Sequence, residues 1–302
     1  MQQLKVALDW TINTNHTGFI IAAALGFYKD VAIDVSFQLP SDDNYAITPA
    51  KKVELQLADV ALCPFESVIS YRTKKQPFNA IAIATIFKED VSSVVVLKDS
   101  GITSPKQLVG KKYASYKAKY EDLIVQQMVN NDGGEGAVEI IYPDKLGIWD
   151  TLLAHKAAAT WIFDNWEGVA AATEGIATTH FKLSDYGIPY GYSPVLLVNE
   201  HVAFANEHTY KNFLQATKKG YLYAANHIDE AVAILKKHVP PPYNAEDFLR
   251  ASQQYSNKYY GNEQNWGIME PDKVTAYLQW MQTQQIEQQM PPMNQLFTNT
   301  FL

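Results

Sequence analysis

One cysteine, Cys63, occurs in 302 residues. An internal disulfide is excluded, and with it the small folds that depend on such staples. A lone thiol fits a reducing compartment. No stretch approaches the roughly 18 uninterrupted apolar residues of a membrane-spanning helix, so no membrane insertion is expected. Positive charge is short as well: the formal net charge is −7 and the isoelectric point lies near 5.5. A nucleic-acid partner normally requires a basic surface, and none is expected here. The chain carries no P-loop, dinucleotide fingerprint, nucleophile elbow or His-Glu-x-x-His pair. Its seven histidines are scattered and no cysteine pair is present, so neither a metal nor a cofactor is expected.

What is there is organised around residues 8–30. A short apolar strand, residues 4–8, leads in. An apolar run of good helix formers, residues 19–25, follows. Between them lies a polar loop with one tryptophan and one histidine: Asp9, Trp10, Asn13, Asn15 and His16. Open α/β sheets present ligand sites in this way. Ligands sit beyond the carboxyl ends of the strands, where helix N-terminal amides are unpaired. Thr14 or Asn15 is expected to cap the helix and Gly26 to end it.

Strands at residues 5–10, 32–39 and 59–63 alternate with helices at 16–28 and 64–73. That alternation predicts a mostly parallel sheet with helices on both faces. Two β-rich runs, 80–86 and 92–97, flank Lys88-Glu89-Asp90 and read as strands leaving a first domain for a second. A new βα series spans 104–174, and residues 193–199 read as the returning strand. Helices at 207–226, 228–238, 245–255 and 271–286 complete the first domain, with a strap-like or frayed tail after Gln284. The expected boundaries are 1–89 with 195–302 for a discontinuous first lobe, and 90–194 for an inserted second lobe. Two crossings between two βα units predict a two-lobed clamshell that closes on a ligand by hinge bending.

The motif Asp9-Trp10-x-x-Asn13-x-x-His16-Thr17-Gly18, followed by Gly26-Phe27-Tyr28-Lys29-Asp30, resembles the opening of solute-binding proteins with the periplasmic-binding-protein fold. It is similar in particular to binders of formylaminopyrimidine, a thiamine precursor. The thiamine-pyrimidine synthases share the fold and much of the pattern. The resemblance extends to roughly residue 285. It implies an α/β, two-lobed, type II periplasmic-binding-protein fold with a ligand cleft between lobes. It implies a protein that clamps a small heterocycle, first of all a thiamine-precursor pyrimidine. The alternatives are a pyridoxal-phosphate-dependent thiamine-pyrimidine synthase, or a binder of another small organic acid or sulfonate. In the synthases, the strand-to-helix stretch matching residues 63–67 carries a lysine that holds pyridoxal phosphate, and four residues later a histidine consumed as substrate. Cys63 and Ser67 stand there in this chain. The synthases' cysteine cluster before the returning strand is replaced by Pro189-Tyr190-Gly191-Tyr192-Ser193. All three departures weigh against the enzyme. The partner implied is a small-molecule ligand, with a membrane transporter only if the protein is exported. Residues 1–5 offer no basic n-region and apolar h-region, so a cytoplasmic location is expected unless a leader has been trimmed.

Each candidate site residue has a plainer alternative. Trp10 is read as a ligand platform or a core aromatic, and His16 as a ligand contact or a satisfied helix-start histidine. Asp9 and Asn13 share their loop. Phe65 walls a pocket or simply packs. Ser115-Tyr116-Lys117 joins a strand to a helix, so its amides and hydroxyls suit an anion or a carbonyl. Against that, Lys111, Lys112, Lys117 and Lys119 read as a solvated basic face. In the run 161–167, Trp161 or Trp166 is a platform for a flat ring, and Asp164 or Glu167 an acceptor for its amine. The plainer reading has Asp164 or Asn165 capping a helix and Trp161 in the core. Tyr186, Tyr190 and Tyr192 form a tyrosine-rich turn before the returning strand, with Tyr190 expected at the ligand. The candidates from both lobes are expected to converge on one pocket.

Overall fold

The computed structural model describes residues 1–143 and 147–302. Its strands are β1 (Gln2–Ala7), β2 (Ile33–Gln38), β3 (Val60–Cys63), β4 (Ala80–Thr85), β5 (Ser92–Leu97), β6 (Lys112–Ala114), β7 (Glu139–Ile141), β8 (Ala159–Phe163), β9 (Thr178–Phe181) and β10 (Val195–Asn199). They form two five-stranded sheets in two compact units.

The first unit comprises residues 1–90, 191–274 and 290–302. Its sheet runs β2-β1-β3-β10-β4. β3 and β4 are apolar and buried at every position except the polar but equally buried Thr85. Continuous burial of this kind belongs to strands covered on both faces. The outer edge of β4 is not left open. Ala82 donates to the Leu296 carbonyl at 2.9 Å and accepts from Thr298 N–H at 2.9 Å. The C-terminal tail is thus a strap that hydrogen-bonds an edge strand, which removes a template for unwanted pairing.

The second unit comprises residues 91–190 and 275–289. Its sheet runs β7-β6-β8-β5-β9 over a core of Val95, Ala114, Trp149, Leu152 and Ile162. The segment 275–289 was expected in the first lobe. It groups with the second unit because Tyr277 packs edge-on to Tyr190 at 5.7 Å. In addition, Glu287 accepts from Tyr120 Oη at 2.7 Å and Lys119 Nζ at 2.9 Å. Such contacts between distant side chains leave no periodic signal in the sequence.

Neither sheet is wholly parallel. β10 is antiparallel to β3 and β4, and β5 is antiparallel to β8 and β9. Each is the strand by which the chain enters a sheet after leaving the other unit. β9, Thr-Thr-His-Phe, was not anticipated: four residues without apolar alternation give no strand signal. The expected helix 16–28 is divided. A 3-10 turn, Thr14–His16, opens onto the helix Thr17–Ala24, and Gly26, at φ 79°, ends it in the left-handed region. Asn13, not Thr14 or Asn15, provides the cap, accepting from Asn15 N–H at 2.8 Å.

The helix Thr17–Ala24 crosses the long helix Glu207–Asn226 at two glycines. A Cβ on Gly18 would lie 2.1 Å from the Tyr221 ring, and one on Gly220 would lie 2.0 Å from the Gly18 carbonyl oxygen. The second clash is with backbone, which cannot rotate away. Gly220→Ala is therefore expected to destabilise the first unit by about 1–3 kcal/mol or more, the usual cost of overpacking. Denaturant unfolding of the two proteins checks this. An unchanged midpoint would show that the helices separate without cost.

Candidate functional site

In the first unit β1 and β3 are parallel neighbours, with Ala7 opposite Ala61. Two residues further on, the chain leaves the two strands at Asp9 and Cys63. The loop after β1 is fixed by one hydrogen-bond chain. The Asn13 N–H donates to His16 Nδ1 at 3.1 Å. The ring proton therefore sits on Nε2, which donates to Asp9 Oδ1 at 2.8 Å. His16 has no exposed surface, whereas Asp9 is partly open. Behind the loop, Thr14 Oγ1 lies 2.7 Å from Ser252 Oγ, Thr17 donates to Gln253 Oε1 at 2.7 Å, and Tyr221 donates to the Asn15 carbonyl at 2.5 Å. A buried polar network with its members bonded holds a single geometry. Asp9 is thereby presented as a carboxylate acceptor whose orientation is set from inside the protein.

Trp10 follows Asp9 at the same strand end, half-buried, with its ring 6.0 Å from that of Tyr45. Phe65 is fully buried, and its N–H donates to the Tyr192 carbonyl at 2.9 Å. It occupies the packing position. Cys63 is buried too. Burial pushes its thiol up, Ser67 opposes this by hydrogen bonding, and the nearby charges of Asp9 and Glu66 reinforce it.

In the second unit β6 and β8 are parallel neighbours, with Ala114 opposite Thr160, so residues 115–118 and 164–168 emerge at one sheet end. The first of these loops closes on itself. The buried Glu121 carboxylate accepts from Tyr113 Oη at 2.8 Å, Tyr116 N–H at 3.1 Å and Ala118 N–H at 3.3 Å. Burial raises the Glu121 carboxyl above its usual range against the pull of these donors. Ser115 Oγ donates to Asp122 at 2.7 Å and accepts from Lys117 N–H at 2.9 Å. The amides and hydroxyl proposed for an anion are turned inward onto Glu121 and Asp122. Tyr116 has accessible surface, but its phenol group is withdrawn from solvent and lies within electrostatic reach of Glu167.

The second loop is a π-helical turn, Asp164–Gly168, at the end of β8. Asp164 is buried, and its Oδ1 accepts from Ser93 Oγ at 2.6 Å and lies 2.8 Å from His180 Nδ1. That carboxylate ties β8 to β5 and β9, which is neither the ligand acceptor nor the helix cap expected for it; the turn has no side-chain cap. Glu167 Oε2 accepts from Phe163 N–H at 3.0 Å, and the residue is half-buried. Trp166 and Asn165 are buried. Trp161 is half-buried and meets Tyr190 at 5.2 Å and 58°. Beyond Tyr190 the aromatic row continues to Tyr277 and then Trp280, which stack at 5.9 Å.

Sequence reasoning missed Tyr45, Glu121, His180 and Ser93. Tyr45 carried a weak signal in the turn-forming run Pro40-Ser41-Asp42-Asp43-Asn44 before it. The other three act through partners distant in sequence or folded back within a turn.

The residues at positions 63 and 67 do not fit a pyridoxal-phosphate imine. Cys63 has no amine, and its protonated thiol is bonded to Ser67 in the core.

Solved structures place this architecture. The periplasmic-binding-protein fold is shared with a conserved Candida albicans gene product described as having the generic form of that fold. The match has a TM-score of 0.70 at 14% identity and covers 99% of this chain and 97% of that one. The chain belongs to the NMT1/THI5 like family, whose model matches residues 13–231. The formylaminopyrimidine-binding protein of Halalkalibacterium halodurans is 25% identical over 238 residues, covering 78% of this chain and 70% of that protein. The 4-amino-5-hydroxymethyl-2-methylpyrimidine phosphate synthase of Legionella pneumophila is 23% identical over 306 residues, covering 99% and 92%.

Incubation with pyridoxal phosphate, borohydride reduction and peptide mapping is expected to give no stoichiometric lysine label. A single specifically labelled lysine, such as Lys117, would restore the synthase reading.

Proposed function

We propose that the chain is a solute-binding protein for a small aminated heterocycle, first of all a thiamine-precursor pyrimidine, and that it acts by binding without a reaction of its own. The observation that carries this reading is the Asp9–His16 pair beside Trp10. A carboxylate fixed by the Nε2 proton at 2.8 Å is an acceptor in a set direction. An aminopyrimidine needs such an acceptor for its exocyclic amine and an aromatic face for its ring. The second unit supplies its own strand-end set, in which Glu167, Tyr116, Trp161 and Tyr190 keep accessible surface. The formylaminopyrimidine-binding relative supports the ligand class. The synthase relatives support the alternative, which Cys63 and Ser67 disfavour. A membrane transporter is a partner in this reading only if the protein is exported.

Calorimetric titration with 4-amino-5-hydroxymethyl-2-methylpyrimidine tests the proposal. Asp9→Asn and Glu167→Gln, each made separately, are expected to weaken binding by about 1.5–3 kcal/mol, the range for a hydrogen bond to a charged group. Trp10→Ala is expected to cost about 1–3 kcal/mol, by analogy with base-stacking aromatics. If the parent binds no pyrimidine, the ligand class is wrong. If it binds and Asp9→Asn binds equally well, the first unit's acceptor is misassigned.

A further inference from the structure

We infer that Tyr45 is a ligand-contacting, specificity-determining residue, which forms with Trp10 a two-walled aromatic notch for a flat ring. The inference takes from the reading above only the identity of the ring. β1 and β2 are parallel, with Ala7 opposite Gln38 and Leu8 N–H donating to the Gln38 carbonyl at 3.0 Å. The loop 39–46 therefore leaves the sheet at the same end as Asp9 and Trp10. Its backbone is unusual. Asn44 and Tyr45 are consecutive left-handed residues, at φ 54° and 61°. Asparagine tolerates that region; a bulky aromatic residue there is strained.

The surrounding contacts hold the strained conformation in place. Asp42 caps Leu39 N–H at 2.8 Å, and Asp43 accepts from Ala46 N–H at 3.1 Å. Tyr45 N–H donates to the Pro40 carbonyl at 2.8 Å. Lys52, in the helix Pro49–Glu54, is buried and reaches Asp43 at 2.9 Å. Its ammonium holds the Asp43 carboxyl below the usual range. What this bracing achieves is exposure. Tyr45 is 55% accessible, with its ring inclined at 60° and 6.0 Å from Trp10. A residue that packed for stability would be buried at an unstrained φ. Strain spent to project a ring beside a second, half-open ring points to a ligand. A planar guest gains stacking contact from such ring faces, and a non-planar one gains little.

The test uses the full chain and a panel of 4-amino-5-hydroxymethyl-2-methylpyrimidine, adenine, nicotinamide and ethanesulfonate. For whichever flat ring the parent binds, Tyr45→Ala and Tyr45→Gly are expected to lose about tenfold or more in affinity. Tyr45→Phe is expected to stay within about twofold, and ethanesulfonate binding, where present, to be unaffected by all three. Glycine accepts the left-handed conformation, so Tyr45→Gly should leave the thermal midpoint unchanged or raise it while affinity falls. A merely structural tyrosine would lower the midpoint and leave affinity alone. If the aminopyrimidine binds and the Tyr45 variants bind it equally well, this inference falls and the proposed function stands. If another flat ring binds with the Tyr45 dependence and the aminopyrimidine does not, the reverse holds. If the parent binds no flat ring, both fall.

Discussion

The hydrogen bond from His16 Nε2 to Asp9, set by the Asn13 amide on the other ring nitrogen, is the constraint on which the first unit's strand end depends. An imidazole with one nitrogen committed to accepting has no choice of tautomer. Its orientation then passes to the carboxylate. That arrangement survives only if the loop cannot shift, and the loop is held from three directions. Asn13 caps the 3-10 turn, Ser252 and Gln253 engage Thr14 and Thr17, and Tyr221 engages Asn15. Tyr221 can reach that carbonyl because the helices meet at Gly18 and Gly220 with no Cβ between them. A close backbone approach on one side of the helix thus sets the direction of a carboxylate on the other.

The two units use carboxylates differently at their strand ends. Asp9 accepts from His16 and keeps accessible surface. Glu121 and Asp164 are buried, and each gathers donors from its surroundings: two amides and a phenol for Glu121, a serine and a histidine for Asp164. Those two are internal braces. They hold the Ser115–Lys117 turn and the π-helical turn in fixed shapes, so that Tyr116 and Glu167 are placed without adjustment. Preorganisation of this kind reduces the ordering that a ligand would otherwise have to impose.

The sequence was legible where the pattern is local. The strand, polar-aromatic loop and helix after β1 are written in consecutive residues, and Asp9, Trp10, Asn13 and His16 all lie in the arrangement just described. The alternation of elements read correctly as α/β, and the runs at 80–86, 92–97 and 193–199 correspond to β4, β5 and β10. What could not be read was set by side-chain partners, distant or folded back within a turn, that leave no periodic pattern. The grouping of 275–289 with the second unit rests on Tyr190, Tyr120 and Lys119. The inward turn of Ser115 and of the Tyr116 amide depends on where Glu121 and Asp122 place their carboxylates. Whether an aspartate offers its oxygens to a ligand or to Ser93 and His180 is a matter of tertiary geometry, and residue type alone is silent on it.

Position 63 bears on what chemistry the first unit's strand end supports. Its backbone sits beside Asp9 at the end of two parallel strands, where a reactive side chain would be well placed. A nucleophilic cysteine needs a neighbouring cation or helix N-terminus to release its proton. Cys63 stands just ahead of the helix Phe65–Thr73, but burial acts to keep that proton and the charges of Asp9 and Glu66 add to it, with the Ser67 hydrogen bond opposing them. The thiol is therefore neutral and inert. With the thiol uncharged, the strand end presents negative charge from Asp9, and electrostatics there favour a ligand that brings donors.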